Sequence, residues 1–305
     1  MAQLLRLTDE HYGDGRDDAE ETHEGVNATT HIYAEKFSKV CKLKHFWKTT
    51  NPKTEAAMRE MREIPYRSLT GGLIHLANTT RPDIAAAVGI CSQFNANPGM
   101  KHWQASLEIV RYLRSTRDLG VVYGRQQEGI PYVPLCAYSD SSWADNPDDR
   151  TSRGGGMLWS WGAPIEWASR KQKSQALSSC EAEYMAAANL TQSVVWARRL
   201  FTDFGYEDLS IFDPTAAPTE QEMEGALPTV VYEDNTGCIE WSKNPVDHAR
   251  AKHIDLKYHF IRAKVKDGDI KLVYCPTEEM MADILTKYLA SPRFVYLRDK
   301  MLWSK

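Results

Sequence analysis

The stretch Pro134–Asp145, PLCAYSDSSWAD, decides how the rest of this chain is read. Leu135, Cys136, Ala137 and Tyr138 form a short apolar run of the kind that makes a strand, and a polar loop, Ser141–Asp149, follows. Asp140 stands where strand and loop meet. Taken alone, it reads most simply as a solvated loop acid. Three later stretches can each bring one more carboxylate to the same place, and that changes its meaning.

The first of these comes after the segment GGGMLWSWGAPIEWAS (154–169). Met157–Trp161 and Ile165–Ala168 are expected strands joined by a Gly-Ala-Pro turn, which makes three consecutive antiparallel strands with the opening one. Arg170, Lys171 and Lys173 are expected in the turn beyond. A long helix then runs from about Ser179 to Phe204. Ser178 and Glu181 have capping-box spacing. Ala187, Leu190, Val194, Ala197 and Phe201 form a stripe at steps of three and four, and one step back it reaches Glu183. Glu181 has an ordinary role as a cap, whereas Glu183 points inward without one, which makes it the better functional candidate.

The second and third stretches lie further on. Thr229–Tyr232 is β-rich and ends in Glu233-Asp234-Asn235. A short helix (Gly237–Lys243), another helix (His253–Val265) and a fifth strand (Ile270–Tyr274) follow. Thr277 is placed to cap a last long helix, with Glu278 and Glu279 suited to its positive end. Asp283 lies one turn further in, where that explanation weakens.

Upstream, residues 1–55 include the acidic run DEHYGDGRDDAEETHEG and read as a poorly ordered tail. From Glu55 the pattern is helical. Thr80, Pro82 and Asp83 suggest a helix start, and Lys101–Thr116 a helix with Trp103, Leu107, Val110 and Leu113 on one stripe. Its Lys101, Arg111 and Arg114 are either a phosphate-tracking face or a solvated one. Gly120–Gly129 marks a boundary. The expected division is a tail at 1–55, a helical segment at 56–128 and a strand-rich domain at 131–305.

Bulk numbers set limits. With 42% hydrophobic and 26% charged residues among 305, a packed core is expected. No apolar run is long enough to span a membrane, and the N-terminus lacks the pattern of a secretory signal. A net charge of −4 argues against coating nucleic acid by bulk charge, while leaving room for a local basic groove. The six cysteines form no C-x-x-C pair and read as reduced, mostly buried thiols inside a cell.

In order, YSDSSWAD (138–145), PIEWASRKQ (164–172), ALSSCEAEYMA (176–186), YEDNTGCI (232–239), KNPVDHARAKHIDLKYHFIR (243–262) and ADILTK (282–287) resemble the ribonuclease H domain of Ty1/copia-type retrotransposon polyproteins. IPYRSLTGGLIHLANTTRPDIAAAV (64–88) and YLRSTRDLGVVYG (112–124) resemble the end of the reverse transcriptase that precedes that domain. No Y-x-D-D polymerase motif occurs. The resemblance implies an α/β, ribonuclease H-like fold: a mixed five-stranded sheet flanked by helices, a three-stranded antiparallel meander plus two further strands, preceded by a small helical segment. It implies a piece of a polyprotein that cuts the RNA strand of RNA/DNA hybrids with two Mg²⁺ ions, Mn²⁺ substituting. Asp140 would bridge the ions, Glu183 and Asp234 would each complete one site, and Asp283 would assist water activation or product release. Asn235, Arg170, Lys171 and Lys173 would touch nucleic acid, and the polymerase part of the element would be a partner. The expected location is a cytoplasmic virus-like particle or the nucleus. Tyr288 departs from the proline common in the family, and TEEMM lacks the loop histidine of cellular enzymes. His253 and His259 read as a helix start and a packed helix residue rather than ligands. A duplex-binding module that does not cut, or a decayed element remnant, are the alternatives; the presence of all four acids favours the nuclease over the first of these.

Overall fold

The computed structural model describes residues 51–124, 126–127, 129–146, 149–206, 228–243 and 255–304. The expected tail up to residue 50 and the helix start at His253 lie outside them. The chain divides into two units, one running up to Gly120 and resuming at Lys287, the other spanning Val121–Thr286. Residues 287–305 thus group with the helical segment, whereas the sequence placed them with the strand-rich domain.

In the first unit, α1 (Glu55–Arg62) starts where the Thr54 hydroxyl accepts from the Ala57 N–H at 3.3 Å. It is followed by α2 (Tyr66–Thr79), α3 (Ala85–Cys91) and α4 (Met100–Ser115). The expected stripe of α4, Trp103, Leu107, Val110 and Leu113, is buried, and Lys101 and Arg114 are exposed. Arg111 of the same face is half-buried and ion-paired with Glu108. A short strand, β1 (Leu119–Gly120), follows α4 within this unit. Thr80 does not start a helix; it closes α2, its N–H bonded to the Leu76 carbonyl. Pro82–Ile84 form a 3-10 turn that leads into α3, as expected of Pro82 and Asp83, but Asp83 does more than suit a helix start. It is buried, and Arg81 grips it with Nε to Oδ1 at 3.0 Å and a second nitrogen to Oδ2 at 2.8 Å. The Tyr112 hydroxyl donates to the same Oδ2 at 2.7 Å.

The second unit is built on one sheet. Its strands are β2 (Cys136–Ser142), β3 (Arg153–Ser160), β4 (Ala163–Lys171), β5 (Thr229–Glu233) and β6 (Ile270–Tyr274). The order across the sheet is β4-β3-β2-β5-β6. The β4-β3-β2 meander is antiparallel, and β5 and β6 run parallel to β2. This is a ribonuclease H-like α/β fold. Central β2 is buried over six consecutive residues, Cys136–Ser141, because both faces are covered. It is longer than expected, so Asp140 lies inside the strand, opposite Gly155.

The β3–β4 turn also differs from expectation. Trp161 (φ 49°) and Gly162 (φ 79°) both take the left-handed conformation, and Ser160 faces Ala163 across them. Two such residues in succession form the tight turn whose twist matches a hairpin. Ala163 and Pro164 therefore belong to β4, and an edge strand tolerates a residue without an N–H. Arg170 and Lys171 end β4 rather than lying in a turn.

The long helix α5 (Ser179–Asp203) packs on β2 and β3 through Ala187, Leu190, Val194 and Ala197, the expected stripe. Between β5 and β6 lie α6 (Thr236–Lys243) and α7 (Asp255–Lys266). His259 of α7 is exposed, not packed. No single long helix follows β6. A turn at Thr277–Glu279 leads to a four-residue helix, α8 (Asp283–Thr286). The separate α9 (Ser291–Met301) and strand β7 (Trp303–Ser304) belong to the first unit. There Phe294 meets Tyr112 edge-on at 5.8 Å, and β7 pairs with β1. Those contacts explain why the C-terminal stretch groups with the helices. No helix among the described residues is long and apolar enough to cross a membrane.

Candidate metal centre

Gly154, Gly155 and Gly156 let the acid-bearing elements approach. Successive strand residues face opposite sides. A Cβ on Gly154 would meet Ala186 of α5 at 3.3 Å, and one on Gly156 would meet Leu190 at 3.0 Å. On the other face, a Cβ on Gly155 would lie 2.6 Å from the Thr286 methyl and 2.9 Å from the Leu285 Cβ. The bare strand therefore seats α5 on one face and α8 on the other.

Each acid is placed by its element. Asp140 is completely buried in β2, and its Oδ2 accepts from the Thr286 hydroxyl. Asp283 opens α8 and is completely buried. The turn is tied down by the Ser169 hydroxyl, which donates to the Leu285 carbonyl at 2.6 Å. Asp234 directly follows β5, half-buried, and its Oδ2 accepts from the Thr277 hydroxyl at 3.0 Å. Thr277 is thus a partner of an acid rather than a helix cap. Glu183 is buried near the start of α5. That first turn is fixed by the Ser178 hydroxyl, which accepts from the Glu181 N–H at 3.1 Å. Gln172 also reaches it, donating to the Ala182 carbonyl at 2.8 Å. Glu181 is buried too, and its carboxylate accepts the Leu177 N–H at 2.8 Å.

Among the described residues, Asp140, Asp234 and Asp283 present ligand atoms all within 4.8 Å of one another. Glu183, Glu233 and Asp234 do the same, so Asp234 belongs to both groups. Glu183 joins the cluster through Asp234 and Glu233. Sequence reading passed over Glu233. It is completely buried at the end of β5. Period-two alternation puts it on the same face as Thr229 and Val231, both fully buried, and that was the available signal.

The neighbouring thiols register the crowding of acids. Burial, and then the charges of Glu233, Glu183 and Glu181, push the Cys180 thiol up to about 12. Burial and Glu233 hold Cys238 well above its ordinary range. Every donor in the two groups is a carboxylate oxygen, a hard set that suits Mg²⁺ or Mn²⁺.

The expected nucleic-acid contacts have mixed placements. The Asn235 side-chain oxygen accepts the Cys238 N–H at 3.0 Å and so caps α6. Lys171 pairs with Asp149. Arg170 and Lys173 are exposed.

No family model matches the chain. Over 248 residues it is 36% identical to the retrovirus-related Pol polyprotein from transposon TNT 1-94 of Nicotiana tabacum, covering 81% of this chain and 17% of that one. Over 229 residues it is 37% identical to the retrovirus-related Pol polyprotein from transposon RE2 of Arabidopsis thaliana, covering 75% and 14%. The chain thus spans less than a fifth of the length of these relatives. Among solved structures, LC11-RNase H1, isolated from compost, is similar at 15% identity with a TM-score of 0.33, covering 52% of this chain and 96% of that one.

Proposed function

We propose that this chain, which belongs to the Ty1/copia-type retrotransposon Pol polyproteins as their ribonuclease H domain, hydrolyses the RNA strand of RNA/DNA hybrids endonucleolytically. The observation that carries the reading is the convergence of Asp140, Asp234 and Asp283 within 4.8 Å, from three separate elements. Asp140, Asp234 and Asp283, with Glu183 and Glu233, would hold divalent metal. Two such ions, when bound, supply an activated water and a stabilised leaving oxygen. The carboxylates would hold that site in fixed geometry, and Asp283 would assist water activation or product release. Water adds at phosphorus and the bond to the 3′-oxygen breaks, leaving a 5′-phosphate and a 3′-hydroxyl. Choice of the RNA strand would rest on 2′-hydroxyl contacts and duplex shape. Exposed Arg170 and Lys173 would contact phosphates of the hybrid. The polymerase part of a Pol polyprotein is the proposed protein partner.

The test is cleavage of a labelled RNA/DNA hybrid in Mg²⁺ or Mn²⁺ by wild type and Asp140→Asn. Cutting of the RNA strand alone, lost in the variant while hybrid binding persists, supports the proposal. Wild type that binds the hybrid and leaves it intact refutes it in favour of a binding module.

A further inference from the structure

Thr286 ends α8 and is buried. Its hydroxyl donates to Asp140 Oδ2 and lies 3.3 Å from the carbonyl oxygen of Asp283. Its methyl group lies over Gly155, where a Cβ would come within 2.6 Å. Asp140 and Gly155 face each other across β2 and β3. One side chain thus touches both residues of a single rung of the sheet, with its polar end on the acid and its apolar end on the glycine.

A carboxylate on a short side chain can rotate, and a fixed O–H donor on one oxygen sets its plane. An isolated helical turn of four residues has almost no stability of its own. Its place depends on what holds it, here the Ser169 bond to Leu285 and the contact of Thr286 with β3. Thr286 and Asp283 are three residues apart and share a face of that turn.

We infer that Thr286 is a positioning residue: its hydroxyl, reaching both Asp140 Oδ2 and the Asp283 carbonyl, orients Asp140 and ties to it the turn that opens with Asp283, so one hydroxyl sets two proposed metal-holding acids together. The inference rests on the proposed nuclease site for its reaction and on the metal alone for its test. Partners that orient ligands of this kind typically change metal affinity by about 10–100-fold.

The full chain is titrated with Mn²⁺ in the absence of nucleic acid, by calorimetry or by the paramagnetic signal of free Mn²⁺. Thr286→Val removes the hydroxyl and keeps the shape, and Thr286→Ser keeps the hydroxyl. The expected result is an affinity for Mn²⁺ about 10-fold or more weaker in Thr286→Val, with most of it recovered in Thr286→Ser. In cleavage of the hybrid, Thr286→Val should lower kcat at limiting metal and leave KM for the hybrid unchanged, and saturating metal should restore kcat. Wild-type affinity in Thr286→Val, or equal losses in Val and Ser, overturns the inference. Where Thr286→Val does not fold, Thr286→Ala must weaken Mn²⁺ binding, and wild-type affinity there overturns it as well. A wild type that binds no Mn²⁺ also overturns it. If wild type binds Mn²⁺ and Thr286→Val weakens it, but no hybrid is cut, the nuclease reading fails and the positioning role stands.

Discussion

Two aspartates are buried to nearly the same degree in the two units and live in opposite surroundings. Asp83 is 1% exposed and Asp140 is 0% exposed. Around Asp83 stand a two-pronged guanidinium and a phenol. Burial and the charge of Asp83 push Tyr112 far above its ordinary range, so that its hydroxyl remains a donor. The negative charge is balanced inside the fold. Within 4.8 Å of Asp140 stand Asp234 and Asp283, and beyond them Glu183 and Glu233. Two aspartates buried alike therefore have different meanings. Around Asp83 the fold supplies a bidentate guanidinium, and the acid is structural; around Asp140 it gathers further carboxylates, which under the proposed function would hold a divalent cation.

The contrast can be broken most forcefully at catalysis. Asp140→Asn should bring hybrid cleavage down to background, whereas Asp83→Asn should retain the cleavage rate per folded molecule. A labelled-hybrid assay on both variants checks this, and the contrast is lost if Asp83→Asn abolishes turnover in folded protein. Stability should run the other way. Arg81→Ala leaves a buried carboxylate without its bidentate partner and should cost about 3–5 kcal/mol in denaturant unfolding. A loss below about 1 kcal/mol would show that solvent already balances Asp83.

Glu233→Gln sharpens the comparison from the other side. Removing one of several crowded charges should stabilise the metal-free protein by about 1 kcal/mol, or roughly 2–4 °C in Tm. The same change should weaken Mn²⁺ binding. A thermal scan with and without Mn²⁺ should show the sign of the effect reverse, and a variant less stable in both would count against crowding.

The smallest expected effect lies at the surface. Burial nudges Asp149 upward, but hydrogen bonds from Lys171 and Thr151 outweigh it and hold the carboxyl down at about 2. A folded value below the unfolded one of about 3.9 stabilises the protein above that pH. The contribution fades as pH falls from about 4 towards 2. The midpoint difference between wild type and Asp149→Asn should shrink over that window, and a difference independent of pH would remove the electrostatic cause. Because the pair is half-exposed, screening keeps the effect small.

Much of this was legible in the residues, because it rests on local periodicity. The strand Ile270–Tyr274 needs only its own β-rich run, and Glu183 was found by extending the apolar stripe of the long helix. What the sequence hid depends on contacts between distant segments. Asp83 looked like a helix-start acid because Arg81, beside it, and Tyr112, far along the chain, are needed to show its role. In place of the expected long helix after Thr277 there is a short turn that ends at Met280 in extended conformation, its Thr277 hydroxyl on Asp234, followed by α8 against Gly155. The hairpin turn was set one residue late, since Trp161 in a left-handed conformation is an unexpected residue for that place. Glu233 was visible in the alternation of β5 but stood beside an acid with a stronger motif. Residues 287–305 followed the strand-rich domain in order, and it takes Phe294 against Tyr112 and β7 against β1 to show where they pack.

The bare strand Gly154–Gly156 has a mechanical consequence. Side chains are compliant: they change rotamer and absorb a displacement. At these three positions β3 contributes none, so Ala186 and Leu190 of α5 and Leu285 and Thr286 of α8 rest directly on backbone held in register by β2 and β4. The helix that carries Glu183 and the turn that carries Asp283 thus share one strand of backbone as their seat. A planar peptide is a stiff support, so that shared seat is a rigid one.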